Sequence, residues 1–143
     1  MAYNKTTWTE ETLIDVPRLQ KIEDGIESLD VRTEGKVIEE SGSNENGRFV
    51  KYADGTMQCY QSISDLGGVN NGSGAIFRSD IFTWTYPASF IVSPVVNVET
   101  TLTNRWASIT SFPGISNVSF IYFSTSANDT LTTAFLIALG RWK

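Results

Sequence analysis

Between Arg48 and Ile63 the chain reads RFVKY, then Ala53-Asp54-Gly55, then TMQCYQSI. Asp-Gly between two runs of β-branched and aromatic residues is among the strongest short-range hairpin signals, because the glycine accepts the positive φ that a tight turn needs. A chain committed to an antiparallel pair here needs more strands to cover it, and the sequence offers them. IFTWTY, SPVVNVETTL, RWASITSF, VSFIYFSTS and TLTTAFLIALGRW follow, interrupted by Pro87, Pro94, Thr103-Asn104, Pro113-Gly114 and Asn117. About 6–7 short strands separated by turns predict a mainly β fold, an antiparallel β-sandwich knob.

The last of these runs is unusual. Leu131, Thr133, Phe135, Ile137 and Leu139 share one face, Thr132, Ala134, Leu136, Ala138 and Gly140 the other, and charge is absent until Arg141. Such a strand is expected to be covered on both faces, which a sandwich core or a subunit interface would explain. Trp84, Tyr86, Phe90, Phe120 and Phe123 read as inward-facing core residues, and Cys59 as a small apolar strand residue. The segment SDLGGVNNGSGAIFRSD reads as a long loop whose glycines and asparagines permit positive φ.

Ahead of the strands the signal is helical. In DVPRLQKIEDGIESLD, Asp15 suits an N-cap and Pro17 the first turn. Leu19, Ile22, Ile26 and Leu29 follow the a/d rhythm of a short coiled coil, with charged residues on the other faces. Two heptads are marginal alone, and Gly25 costs roughly 1 kcal/mol relative to Ala, so the stripe is expected to trimerise. The polar stretch ESGSNENG then reads as a joint. The expected organisation is an amino-terminal attachment segment, coiled-coil stalk and joint over 1–46, and a β-sandwich knob over 47–143.

Charge and residue types narrow the function. With 11 Lys+Arg against 16 Asp+Glu the net charge is -5, so nucleic acid would be repelled over most of the surface. No apolar run approaches the ~20 residues that span a bilayer, and the amino terminus lacks the basic and apolar regions of an export signal, so neither membrane insertion nor export is expected. The chain holds no histidine and only one cysteine, which removes His-based triads, His-ligated metals and any intrachain disulfide. No cofactor and no metal are expected. Carboxylate chemistry survives, yet Asp54, Asp65, Asp80, Glu99 and Asp129 form no motif that implies a facing pair, so a glycan-degrading spike is a minor alternative and the chain is expected not to be an enzyme.

GRFVKYADGTMQCYQ, FTWTYPASFIVSPVVNVET and SFIYFSTSANDTLTTAFLIALGRW resemble, in order and spacing, the carboxy-terminal knob of phage tail-fibre proteins. There a hairpin of the form GxxxxxDGT leads to an aromatic-Pro-x-x-Phe segment and a closing strand ending in an Ala-x-Gly-x-Trp-like run. The middle and end also look like the H-type lectins, sugar-binding β-sandwiches that work as trimers. The animal members carry disulfides that this chain lacks, and the GGVNNGSGA loop has no clear counterpart in them. PRLQKIEDGIESL is similar to a short helical segment of structural proteins of phages that infect Gram-positive bacteria.

The resemblance implies a virion fibre, assembled in the host cytoplasm, that attaches to another tail, baseplate or head protein through its amino terminus. Its trimeric knob would recognise a host cell-wall or surface saccharide. The alternative is a structural decoration fibre with no specific ligand. Trp8 and Trp142 are candidate anchors.

If the strands run up and down from the stalk, Asp54-Gly55, 87–94 and 113–117 form the far tip, and 64–80, 103–105 and 125–130 lie at the stalk end. The second group gathers Asn70, Asn71, Asn104, Arg105, Trp106, Asn128 and Asp129. These are polar partners for sugar hydroxyls beside an indole on which a sugar can lie. By resemblance, an H-type lectin places an arginine near Arg105 and binds sugar close to the join between subunits. Loss of Trp106 or Arg105 is therefore expected to abolish binding and leave stability nearly unchanged.

Overall fold

The computed structural model describes residues 16–33 and 37–143. The chain divides into two units, residues 1–34 and 35–143. Asp15, Trp8 and the side chain of Leu29 lie outside what is described.

In the first unit, helix α1 spans Val16–Thr33, with Pro17 in its first turn and Gly25 open to solvent. Gln20 Nε2 donates to Asp24 Oδ1 at 2.9 Å, one turn on. Leu19, Ile22 and Ile26 are exposed.

The second unit is an antiparallel β-sandwich of two five-stranded sheets. The first holds β1 (Ile38–Asn44), β2 (Gly47–Tyr52), β3 (Thr56–Leu66), β10 (Thr132–Arg141) and β7 (Val95–Thr100), side by side in that order. The second is built on β9 (Asn117–Ser124). β5 (Ile76–Arg78) and β6 (Phe82–Thr85) pair with it, β4 (Asn71–Ser73) extends β5, and β8 (Arg105–Ile109) also pairs with β9. Between the sheets lie Met57, Cys59, Trp84, Tyr86, Phe90, Val118, Phe120, Tyr122, Ala134, Leu136 and Ala138, all buried. Trp84, Tyr86 and Phe90 meet edge-on in succession, with ring centroids 5.0 and 5.2 Å apart.

Each of the seven runs read as strands is a strand: β2, β3 and β6 to β10. Three more were not expected. The 64–80 segment contains the β4–β5 hairpin, turned at Gly74 with φ +63°. The polar stretch expected as a joint is largely β1, held to β2 by a register from Ile38↔Tyr52 to Asn44↔Gly47 and by a Lys51–Glu40 ion pair at 2.5 Å. The sandwich thus begins at Val37, ahead of residue 47.

That added strand reverses the two ends. Val37 O accepts from Ala53 N, and Trp142 N donates to Gly55 O at 3.0 Å. Ile91 N bonds Arg141 O and Phe90 N bonds Ile115 O. Gly55, 90–94 and 113–117 therefore gather, but at the end where the chain enters the sandwich; Pro87, expected with them, instead accepts from Asn44 Nδ2 at 3.0 Å, at the other end of β1. The group that includes Asn70 and Asn128 lies at the opposite end.

One aromatic reading is also corrected. Phe120 and Phe123 are an odd number of residues apart and cannot share a face of β9. Phe120 and Tyr122 point inward, and Phe123 points out. Trp142 is a clasp within the chain: its Nε1 donates to Tyr52 O at 3.0 Å, and Lys51 and Lys143 lie over its ring at 5.1 and 4.8 Å.

Gly47 turns β1 into β2 at φ +121°, and a Cβ there would run into the backbone oxygen of Tyr60. Gly47→Ala is expected to lower stability by about 1–3 kcal/mol in denaturant titrations, while Gly72→Ala, whose Cβ would meet nothing within 4 Å, stays near wild type. Burial pushes the Cys59 thiol up to about 11. On the order of one thiol in a thousand is then thiolate at pH 8, so aromatic disulfide reagents should label Cys59 only as the sandwich unfolds.

Candidate functional site

The loops opposite Val37 are tied together from below. Val69 and Asn128 form an isolated antiparallel bridge, with Val69 N donating to Asn128 O at 2.9 Å. Gly68 lies under Asn128 and Asp129 so closely that a Cβ would fall 2.6 Å from Asn128 O. Asn70 Nδ2 donates to Asp129 Oδ1. Arg105, at the start of β8, reaches the same loop: its Nη2 donates to Asn128 Oδ1 and, at 2.6 Å, to the Thr130 carbonyl. Asn70, Asn128, Asp129 and Arg105 thus form one network. Asn104 is exposed in the turn before β8.

Arg105 differs from the expectation in one respect. It is only 5% exposed, its Nε and Nη1 find no acceptor among the described residues, and burial lowers its pKa. It braces the 128–130 loop from within. The hydroxyl of Tyr122 is also buried and unpartnered, and burial raises its pKa well above the ordinary phenol value.

Trp106, the next residue along β8, points the other way and is 43% exposed. Its indole stacks on Phe123 with centroids 5.9 Å apart and planes 22° from parallel. The register extends this ledge: Trp106↔Phe123 on β8 and β9, Phe123↔Arg78 on β9 and β5, Arg78↔Asn71 on β5 and β4. Residues opposite one another in antiparallel strands project from the same face. An indole, a phenyl, a guanidinium and an amide therefore line one row on the outer face of the second sheet. Asn71 Nδ2 is held by Asp80 Oδ1 at 3.0 Å.

The seven residues read from the sequence fall into two neighbouring groups. Asn71 and Trp106 end the row, while Asn70, Asn128, Asp129 and buried Arg105 make the loop network, with Asn104 in the turn next to Arg105. Arg78 and Phe123 were missed as surface candidates. Arg78 lies in a segment that reads as loop, and only its pairing with Phe123 brings it to the row.

Four of the five carboxylates have local employment. Asp54 Oδ1 accepts from Thr56 N at 2.7 Å, which holds its pKa below the usual carboxylate value. Asp80 takes Asn71, Asp129 takes Asn70, Glu99 Oε1 accepts from Asn97 Nδ2 at 3.1 Å, and Asp65 is exposed at φ 58°. Among the described residues no three His, Cys, Asp or Glu side chains are grouped to hold a metal ion, and no helix is long and apolar enough to cross a membrane.

The fold is an antiparallel β-sandwich knob with an aromatic and polar row on one outer face. No family model matches the sequence, and no curated protein is significantly similar to it. Among solved structures, the chain is similar to the P. aeruginosa R1 pyocin fiber comprising C-terminal residues 323–701, with a TM-score of 0.54 and 12% identity over 97% of this chain and 40% of that one. A second similar structure is an N-truncated R1-type pyocin tail fiber, with a TM-score of 0.44 and 13% identity over 79% of this chain and 95% of that one. The chain spans about two fifths of the length of the first, and the likeness to it is one of fold.

Opposite outcomes are expected from two adjacent substitutions. Arg105→Ala removes both braces of the 128–130 loop and should lower stability by about 1–3 kcal/mol. Trp106→Ala trims a half-exposed side chain and should cost less than about 1.5 kcal/mol, well short of the 3–5 kcal/mol typical of a buried Trp. Thermal or denaturant unfolding of the two variants checks the pair.

Proposed function

We propose that the chain is the receptor-binding part of a phage-type tail fibre, a homotrimer whose knob holds a host cell-surface saccharide without cleaving it. The observation that carries the reading is the row Trp106, Phe123, Arg78 and Asn71. A pyranose ring has one face rich in C–H groups and a rim of hydroxyls. The flat Trp106–Phe123 ledge suits the first, and the Arg78 guanidinium and Asn71 amide suit the second. Asn104, Asn128, Asp129 and Asn70 stand beside it as further hydroxyl partners, and Arg105 acts by holding Asn128 in place. The tail-fibre-like fold supports placement in a virion, with the amino-terminal segment as attachment to another virion protein. The local pairing of Asp54, Asp80, Glu99 and Asp129 supports binding over hydrolysis, since a glycosidase needs two carboxyl groups facing one bond.

The trimer is supported by two apolar surfaces that the single chain leaves bare. One is the helical stripe of Leu19, Ile22 and Ile26; the other is the outer face of β10. A strand expected to be covered on both faces is covered on one.

A row site of this kind is open and buries few contacts, so each site binds weakly, while three sites per knob and many knobs per particle raise avidity by roughly 10² to 10⁴. A glycan array and whole-cell binding test the proposal. Wild type should bind a defined set of glycans, and Trp106→Ala and Arg78→Ala should each reduce binding at least tenfold with the melting temperature little changed. Binding to no glycan and to no host envelope would favour the structural fibre. Release of reducing sugar from host envelopes would point to the hydrolytic spike.

A further inference from the structure

The outer face of the first sheet carries a stripe that a lone chain leaves in water. Phe135, Ile137 and Leu139 on β10 are 54%, 44% and 46% exposed, and Val95 on neighbouring β7 is 77% exposed. Tyr60 on β3 adjoins them through the pair Ile137↔Tyr60. Contiguous apolar surface of this kind marks an interaction site.

The two flanks of the stripe carry opposite charges. On β2, Arg48 is opposite Tyr60, with its guanidinium carbon 6.0 Å from the ring centroid. On β7, Glu99 is opposite Phe135. The register places both on the same outer face. β2 and β7 are three strand spacings apart, about 14 Å, which is beyond the reach of an ion pair. Neither residue joins a salt bridge among the described residues. Beside Arg48 runs a shallow groove of about 390 Å³, lined by Tyr60, Ser62 and Phe135.

We propose that this face docks a second copy of the same chain head to tail, with Glu99 of one copy entering the groove to meet Arg48 of the next. The inference rests on the trimer reading and names its contact. An apolar stripe with a cation on one flank and an anion on the other is complementary to itself when each copy presents its β7 flank to its neighbour's β2 flank. Repeated around an axis, the contact closes into a ring in which every Arg48 and every Glu99 is paired once. The apolar stripe supplies the burial, and the charge pair fixes the register and the direction of the ring.

The test is charge reversal in the full chain, read by sedimentation over a concentration series. Arg48→Glu and Glu99→Arg should each weaken self-association at least about tenfold, and the double reversal should restore most of it. Raising ionic strength should weaken wild type and the double variant alike. Both positions are exposed, and the milder Arg48→Gln and Glu99→Gln changes serve if a reversal unfolds the knob. Single variants that associate as wild type does, or a double variant no better than the singles, overturn the contact while leaving the trimer reading standing. A wild-type chain that sediments as a monomer overturns the trimer reading itself.

Discussion

The sandwich is organised around the unequal faces of β10. This strand is paired on both sides, with β3 from Thr132↔Leu66 to Arg141↔Thr56 and with β7 from Ala134↔Thr100 to Leu139↔Val95. Its inner face is mostly small: Ala134, Ala138 and Gly140 alternate with a single Leu136. Sheets pack about 10 Å apart, so the large rings of Trp84, Phe120 and Tyr122 from the second sheet can be accommodated only if the strand they face is slender. Gly140 is the limiting case, where a Cβ would lie 2.8 Å from the Phe90 ring and 3.1 Å from Pro94. The bulk absent from the inner face is carried on the outer one as Phe135, Ile137 and Leu139. One alternation thus makes room for the core and leaves an adhesive surface outside it.

How much of this was legible depended on whether a side chain or a backbone pairing defines the element. The seven strands with an apolar face announce themselves by period and by turn residues. β1 does not, because its residues Ile38–Asn44 bury almost nothing; the strand exists through its ladder to β2. An element held by backbone hydrogen bonds and exposed polar contacts leaves no hydrophobic signature. The consequence was larger than one strand: an added crossing moves every later connection to the other end relative to the entry point. Apart from Pro87, the grouping of loops survived and their address reversed.

The same distinction runs through the candidate site. Asn70, Asn128, Asp129 and Arg105 were readable as one loop group because turns that share an end of an up-and-down arrangement meet. The row of Trp106, Phe123, Arg78 and Asn71 was not, because it depends on the register of two-residue and three-residue pairings that no periodicity specifies. Arg105 and Trp106 show the limit at the scale of a single peptide. Adjacent strand residues take opposite faces, so one of the two had to be internal, and the sequence does not say which. The larger apolar residue is the exposed one, because the Phe123 ring that it stacks on is itself on the outer face.

Burying Arg105 beneath the loops is costly, and the cost indicates what the residue does. A guanidinium carries five N–H donors, and among the described residues Nη2 alone is engaged, with an amide oxygen and a carbonyl, and no carboxylate pairs with it. Nearby Tyr122 contributes a buried hydroxyl that is likewise unpartnered. A chain selected for stability alone would fill this place with an apolar side chain. What the arginine supplies is a long rigid reach from β8 to Asn128 and Thr130, two residues that no strand ladder fixes. Asn128 is bridged to Val69, and Asn70 is bonded to Asp129, so one internal side chain positions the amides and the carboxylate that face solvent on both loops. The conformational free energy of ordering these loop groups is thereby spent during folding.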